Sequence, residues 1–347
     1  MTASNEADNE VDNHRRWDGH TPGRYEIWYL TFNDPATGDG FWIRYTLEAP
    51  ADGREPYAQL WFARFAAADA GAARPTFGIN RKLPIATMTA STQPFAVTIG
   101  ASKLGHDHAR GALSGAGHDA EWDLAWTPNA RTMFWLPSVM YGGGGRGDAT
   151  VLSPSPDLAL RGTITVDGHR YQLDGAPGGQ THLWGKKHTP RAWGHCNAFD
   201  GAPGFALEVL APRLKVRGVE LPWLTLATLR TPDGDVAFNR FDQAILAPRP
   251  ETGTGRFRFV ATGLLARLEG TFTCATDRLV RADYVDPGGE RAWCHNSCVA
   301  DLTLTLSRRV RGRWRTERAL RSDGRAHFEL AGRAPDPAVT RLHTTID

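Results

Sequence analysis

The chain has few cysteines, almost no net charge and no long apolar run. Four cysteines among 347 residues, Cys196, Cys274, Cys294 and Cys298, are too few for a disulfide-built scaffold, and free thiols are the expectation. A formal net charge of +2 gives no electrostatic reason to expect nucleic acid as a partner. No uninterrupted apolar stretch approaches the ~20 residues of a bilayer-spanning helix. No integral membrane segment is therefore expected, although transient contact with a membrane to collect a lipid stays compatible. Met1 to Arg16 is polar and acidic and lacks the apolar centre of an export signal. It reads as a disordered tail, and a cytoplasmic location is the expectation. A Gly-x-Ser-x-Gly elbow and a glycine-rich dinucleotide fingerprint are also missing, which disfavours a serine hydrolase and implies no common cofactor.

Helical periodicity is scarce too, and strand signals fill its place. Tyr25 to Phe32 is aromatic and β-branched, runs into the turn-rich Asn33 to Gly40, and resumes as Phe41 to Leu47. Tyr57 to Phe65 carries large side chains on both faces, as in a strand covered on both sides or lining a cavity. Further runs follow at roughly 8–12-residue spacing, the rhythm of sandwiches and barrels. Asp167-Gly168, Asp233-Gly234 and Asp323-Gly324 read as hairpin turns. The length fits two domains: a tail over 1–19, β-domains over 20–178 and 179–335, and a second tail over 336–347. The Gly142 to Gly145 run reads as a mobile loop, and the arginine-rich Arg308 to Arg315 as a solvated hairpin, with an anionic surface as the alternative partner.

The densest chemistry lies mid-chain, in Gly178-Gly179-Gln180-Thr181-His182-Leu183-Trp184-Gly185 and Ala192-Trp193-Gly194-His195-Cys196-Asn197-Ala198-Phe199. Glycine permits close approach, tryptophan supplies a flat apolar wall, and histidine moves protons near neutral pH. Alternation puts His182 with Trp184 on one strand face, and Trp193, His195, Asn197 and Phe199 on another. If both faces met one cavity, His182 and His195 would serve as acid and base, against the alternative of hydrogen-bonded structural histidines.

Glu26-Ile27-Trp28-Tyr29-Leu30 followed by Gly40-Phe41-Trp42-Ile43 resembles the opening of a two-domain lipocalin-like superfamily. That group includes AttH-like proteins, hydroxyneurosporene synthase, tocopherol cyclase and fungal Diels–Alderases. Thr181-His182-Leu183-Trp184-Gly185 with Ala192-Trp193-Gly194 is similar to the same group's central signature. The resemblance implies an all-β fold of two lipocalin-like barrels or strongly curved sandwiches packed together, with few short helices. It also implies a pocket for an isoprenoid, polyene or other lipidic molecule. Two positions depart from the pattern: Thr181 stands where an acidic residue is frequent, and His195 where the second aromatic falls.

Glu26, Asp123 and Glu208 sit among apolar residues. A carboxylic acid in such surroundings has a raised pKa and can protonate an alkene or epoxide. Glu26 and Glu208 are the candidates, weighed against structural pairing with Arg44 or Arg64. A metal site from His182, His188 and His195 is disfavoured, because His188 adjoins Lys186 and Lys187 and should face solvent. Cys294 and Cys298 lack a second pair to complete a zinc site and read as buried thiols in a strand. The reading is therefore a cofactor-independent cyclase, hydratase or isomerase, acting on a hydrophobic small molecule. His182, His195, Glu26 and Glu208 are its candidate catalytic groups, and Trp28, Trp42, Trp61, Trp184, Trp193, Asn197 and Phe199 its candidate pocket wall. A non-catalytic lipid or pigment carrier is the alternative.

Overall fold

A computed structural model of the chain describes residues 9–71, 74–141, 148–213, 215–216, 219–220, 222–332 and 334–346. Two large, mostly antiparallel sheets dominate, and the described residues contain a single α-helix, Phe241–Leu246. The first sheet runs in the order His343–Ile346, Phe77–Pro84, Tyr57–Phe65, Gly40–Ala49, Arg24–Asn33, His169–Gly185, Ala149–Val166, His118–Ala125, His108–Gly115, Ser102–Gly105, Phe95–Ile99, Met88–Thr92. The second runs Gly234–Phe238, Leu226–Thr231, Ala206–Pro212, Arg191–Cys196, Arg313–Gly332, Arg291–Val310, Ala266–Thr273, Arg256–Thr262, Glu251–Gly253. Val280–Val285 adds to the Arg291–Val310 strand.

The first sheet curls until strands distant in its order stack on one another. Phe62 lies 6.0 Å from Trp122 and Phe77 3.8 Å from His118 between ring centroids. Its two ends share no hydrogen-bonded ladder among the described residues. The result is a strongly curved sandwich rather than a closed barrel. Alternation explains why such a sheet can serve two cores. Ala58, Leu60 and Phe62 enter the first core, whereas Trp61, Ala63 and Phe65, between and beyond them, enter a seam shared with the second sheet. The opening strand divides likewise: Trp28, Leu30 and Phe32 face the first core, and Tyr25, Ile27 and Tyr29 face the seam. The second sheet has its own core, with Phe257, Phe259, Phe272 and Leu302.

The seam is tight. A Cβ on Gly40 would fall 2.6 Å from Cys298 Cβ, so glycine there lets the sheets meet. Asn33 Nδ2 donates to the Cys298 carbonyl at 2.6 Å, and Arg44 Nη1 donates to the Tyr284 hydroxyl at 2.7 Å.

Four expectations require correction. The boundary read at residues 178 and 179 falls inside the strand His169–Gly185, all of which belongs to the first sheet. The glycines at that boundary are close-approach positions, as read: a Cβ on Gly178 would meet the Thr31 carbonyl oxygen at 2.3 Å. The segment read as a terminal tail returns to the first sheet, where His343–Ile346 pairs in parallel with Phe77–Pro84. At the other end Asn9–Asn13 forms a 3-10 turn with Asn9 and Asn13 buried, so the stretch read as a disordered tail includes an ordered, packed segment. Asp323-Gly324 is a bulge within Arg313–Gly332, where Gly324 N–H bonds the Asp301 side chain at 2.8 Å, not a hairpin turn. The hairpin turns instead at Arg311-Gly312, with φ of 49° and 80°, inside the arginine-rich run. The Gly142 to Gly145 run lies outside the described residues.

Candidate active site

The seam encloses a cavity of about 360 Å³, within the range of small-molecule sites. Tyr29, Trp135, Leu136, Val151, Trp193 and Leu210 give it an apolar wall. Trp135 and Trp193 stack in parallel at 5.8 Å, and Tyr29 meets Trp193 edge-on at 5.9 Å. The helix Phe241–Leu246 closes one side through Phe241 and Ile245, which its turn brings to one face. A broader cleft of about 900 Å³ adjoins it and shares Asp148 and Thr189. The smaller cavity is the better candidate, because its aromatic wall and convergent polar groups are what ligand recognition needs.

Its polar end is an ion pair. Arg191 Nη2 lies 2.6 Å from Glu329 Oε1, with both side chains mostly buried. Arg191 and Trp193 are two residues apart on one strand, and Glu329 pairs opposite Trp193 on the next. All three therefore share one face. Burial pushes the Tyr29 hydroxyl well above the ordinary tyrosine value, and the nearby Glu329 and Glu208 carboxyls add to the shift. Tyr29 thus remains a neutral hydrogen-bond donor. Behind the aromatic wall a second void of about 20 Å³, edged by Tyr29, Trp42, Arg44, Arg191 and Glu329, has room for one water.

Glu208 stands behind Trp193. Its Oε2 accepts the Trp193 indole N–H at 2.8 Å and its Oε1 accepts the Ser153 hydroxyl at 2.7 Å. Ser153 in turn accepts the Trp135 indole N–H at 3.0 Å. Burial raises the Glu208 carboxyl to about 8, against the pull of its two donors. It is a neutral acid at neutral pH, wired to both tryptophans of the wall.

The two mid-chain histidines are not brought together. His182 lies between Thr181 and Leu183, and Leu183 lines the cavity, so His182 points to the opposite face of its sheet. There it stacks on Trp28 at 4.9 Å. Its Nδ1–H donates to the Asp12 carbonyl at 2.6 Å, and its Nε2 sits 2.9 Å from Glu26. Glu26 also accepts the backbone N–H groups of Arg16 and Trp17 at 2.6 and 2.8 Å. This buried cluster fastens the N-terminal segment over the first core. His195 lies in the second sheet. Its Nε2–H donates to the Pro156 carbonyl at 2.7 Å, and its Nδ1 faces His327 Nδ1 at 3.0 Å. Burial lowers its pKa to about 4.

The remaining candidates are dispersed. Trp28 belongs to the first core and donates to the Asn13 carbonyl at 2.8 Å. Trp61 lies in the seam with the Arg44 guanidinium 4.8 Å above its ring, and Trp42 edges only the small void. Trp184 is half-buried under Arg16 at 5.1 Å. Asn197 Nδ2 bonds Asp157 Oδ1 and the Leu158 carbonyl, each at 3.0 Å, and Phe199 packs in the second core. Of the predicted wall, Trp193 alone lines the large seam cavity. Neither Glu26 nor Glu208 pairs with Arg44 or Arg64, which instead bond Tyr284 and the Pro75 carbonyl. Asp123 is exposed beside Arg110. His188, expected in solvent, is buried between the rings of Tyr25 and Tyr284 at 4.2 and 5.0 Å and bonds Asp286. Cys294 and Cys298 are buried in the strand Arg291–Val310, as read.

Sequence reasoning missed Tyr29, Trp135, Arg191 and Glu329. Alternation marks Tyr29 as the seam-facing neighbour of Trp28, and Arg191 as sharing a face with Trp193. Trp135 lies outside regular strand, and nothing local marks Glu329 as the partner of Arg191.

Two curved antiparallel sheets sharing an apolar seam define a two-part lipocalin-like architecture. The resemblance to the AttH-like group carried by the opening and central motifs holds at the level of the fold. The chain superposes on the structure of a putative AttH from Nitrosomonas europaea with a TM-score of 0.58 at 18% identity, covering 90% of this chain and 93% of that one. Kievitone hydratase from Nectria haematococca gives a TM-score of 0.49 at 10% identity, with 88% of each chain covered. An uncharacterized protein of Mycobacterium tuberculosis is 27% identical over 310 residues, 85% of this chain and 84% of its own length. No protein-family profile matches the chain.

Proposed function

We propose that the protein binds a hydrophobic isoprenoid, polyene or polyketide-like molecule in the seam cavity and catalyses its cyclisation, hydration or isomerisation without a cofactor. The observation that carries this reading is the Tyr29, Arg191 and Glu329 group at one end of a cavity that is otherwise aromatic and aliphatic apart from Asp148 and Thr189, where the broader cleft adjoins. An apolar body fills the wall formed by Trp135, Trp193 and Leu210. An oxygen at its polar end takes a hydrogen bond from Tyr29 or Arg191. Hydration, and cyclisation or isomerisation that starts by proton transfer, need a proton moved and no external electron source, and Glu329 is the carboxylate that would move it. Holding reacting ends together in a shaped cavity supplies much of such a rate gain.

One observation favours the carrier reading. Both oxygens of Glu208 are engaged, and the acid stands behind the wall rather than in it. Turnover decides between the two. Incubation with lipid extracts and candidate polyenes, followed by mass and retention-time analysis of the recovered molecule, should reveal a product. Glu329→Gln should lower its rate at least about tenfold while binding persists. A ligand recovered unchanged by wild-type protein makes it a carrier.

A further inference from the structure

Ten large apolar side chains are notably exposed among the described residues, and eight of them fall on four adjoining segments. Phe134 and Val139 lie in 133–141, whose Pro137 and Met140 line the cavity mouth. Phe241, Ile245 and Leu246 lie on the helix Phe241–Leu246, and Leu264 and Leu265 on the turn beside it, at 65–76% exposure. Val310 lies at the tip of the arginine hairpin. These segments are contiguous. Asn239 Nδ2 donates to the Phe134 carbonyl at 3.1 Å. Gln243 shares a surface groove with Leu264, Leu265 and Arg308. Arg309 N–H donates to the Leu265 carbonyl at 2.9 Å.

The hairpin carries Arg308, Arg309, Arg311, Arg313 and Arg315 without one acid between them. Arg308 pairs with Glu317, and Arg240 beside the helix pairs with Asp242. Arg309, Arg311, Arg313 and Arg315 are exposed. Exposed leucines flanked by arginines match the chemistry of an anionic bilayer surface, with apolar groups entering the acyl boundary and cations at the phosphates.

We infer that this face docks on anionic lipid membranes and sets the cavity mouth against the bilayer, so that the hydrophobic ligand passes between lipid and seam without crossing water. The route rests on the proposed cavity function; the docking itself does not.

Vesicle flotation with the full chain tests it. The protein should float with phosphatidylcholine vesicles containing phosphatidylglycerol, and not with phosphatidylcholine alone. Leu264→Ser with Leu265→Ser should cut binding at least tenfold, and each arginine replaced among Arg309, Arg311 and Arg313 about fivefold. These side chains are exposed, so unchanged melting confirms that the variants fold. No binding to anionic vesicles overturns the inference, as does binding that survives the leucine change, which is electrostatic sticking only. Concentration-dependent self-association abolished by the leucine change would assign the face to a second copy and also overturn it. Unchanged ligand binding by a cavity variant that still floats would fault the cavity reading and leave docking intact.

Discussion

Arg191 and Glu329 meet at 2.6 Å across adjacent strands of the second sheet, on the face that carries Trp193. The pair supplies charge to a cavity whose other walls are mostly aromatic and aliphatic. Removing one partner leaves the other partly buried and uncompensated. Arg191→Ala should lower stability by about 1–3 kcal/mol, read by urea denaturation, because the pair keeps some solvent screening. Arg191→Ala with Glu329→Ala should recover part of that loss.

Buried ionisable groups give stability a defined pH profile. Glu208 holds its proton to about pH 8 in the fold, and Glu48 to about 7, against 4.5 for a free glutamate. Between 4.5 and those values the native state binds more protons than the unfolded chain, so stability falls as pH rises. His195 titrates near 4 instead of 6.5, and burial lowers His188 too. Between 4 and 6.5 the effect of His195 is opposite, and its contribution to stability rises with pH; His188 acts in the same direction below 6.5. Melting temperature should therefore decline above pH 6.5, through the buried acids, and again below 4.5, through the histidines together with carboxylates held low by their hydrogen bonds, such as Asp107 and Asp336. Glu208→Gln, which keeps one acceptor and one donor, should flatten the alkaline limb in melts from pH 6.5 to 8.

His182 and Glu26 fasten the N-terminal segment and do not reach the cavity. His182→Ala should destabilise the fold by about 1–3 kcal/mol, since buried hydrogen-bonding groups lose a partner. It should also speed proteolysis within residues 9–17. Ligand affinity should stay within about twofold of wild type, whereas a catalytic or ligand-contacting His182 would change turnover or affinity first.

The approach of the two sheets depends on Gly40. A methyl group there collides with Cys298 backbone and side chain, at 2.8 Å and 2.6 Å. Gly40→Ala should cost about 1–3 kcal/mol through overpacking and loosen the seam. Calorimetry should then show a lower or split transition, while an exposed glycine such as Gly288, with open space around it and no positive φ, tolerates the same change.

The fold was legible because period-two burial leaves its mark locally. Tyr57 to Phe65 announced two covered faces, and its residues divide between the first core and the seam. The arginine run announced a solvated hairpin, and it is one. The site was legible only in part. Alternation gives the two faces of a strand but not which faces the partner sheet. His182 and Trp193, adjacent in the reading, point into different compartments for that reason. The boundary set between 178 and 179 fell inside a strand because strand rhythm alone does not say which sheet a strand joins. Arg191 and Glu329 are 138 positions apart by their numbering, so their meeting is a property of topology. Trp135 reaches the cavity from a segment without strand periodicity, where no pattern places it.

Leu210 faces the Trp193 side of the cavity, and Leu210→Trp fills that space while leaving the polar end in place. Native mass spectrometry of wild type and this variant, each loaded from the same lipid extract, tests the central claim most directly. An apolar molecule retained by wild type and absent from a folded Leu210→Trp protein is the predicted result. Equal retention by both proteins, or none by either, would contradict it.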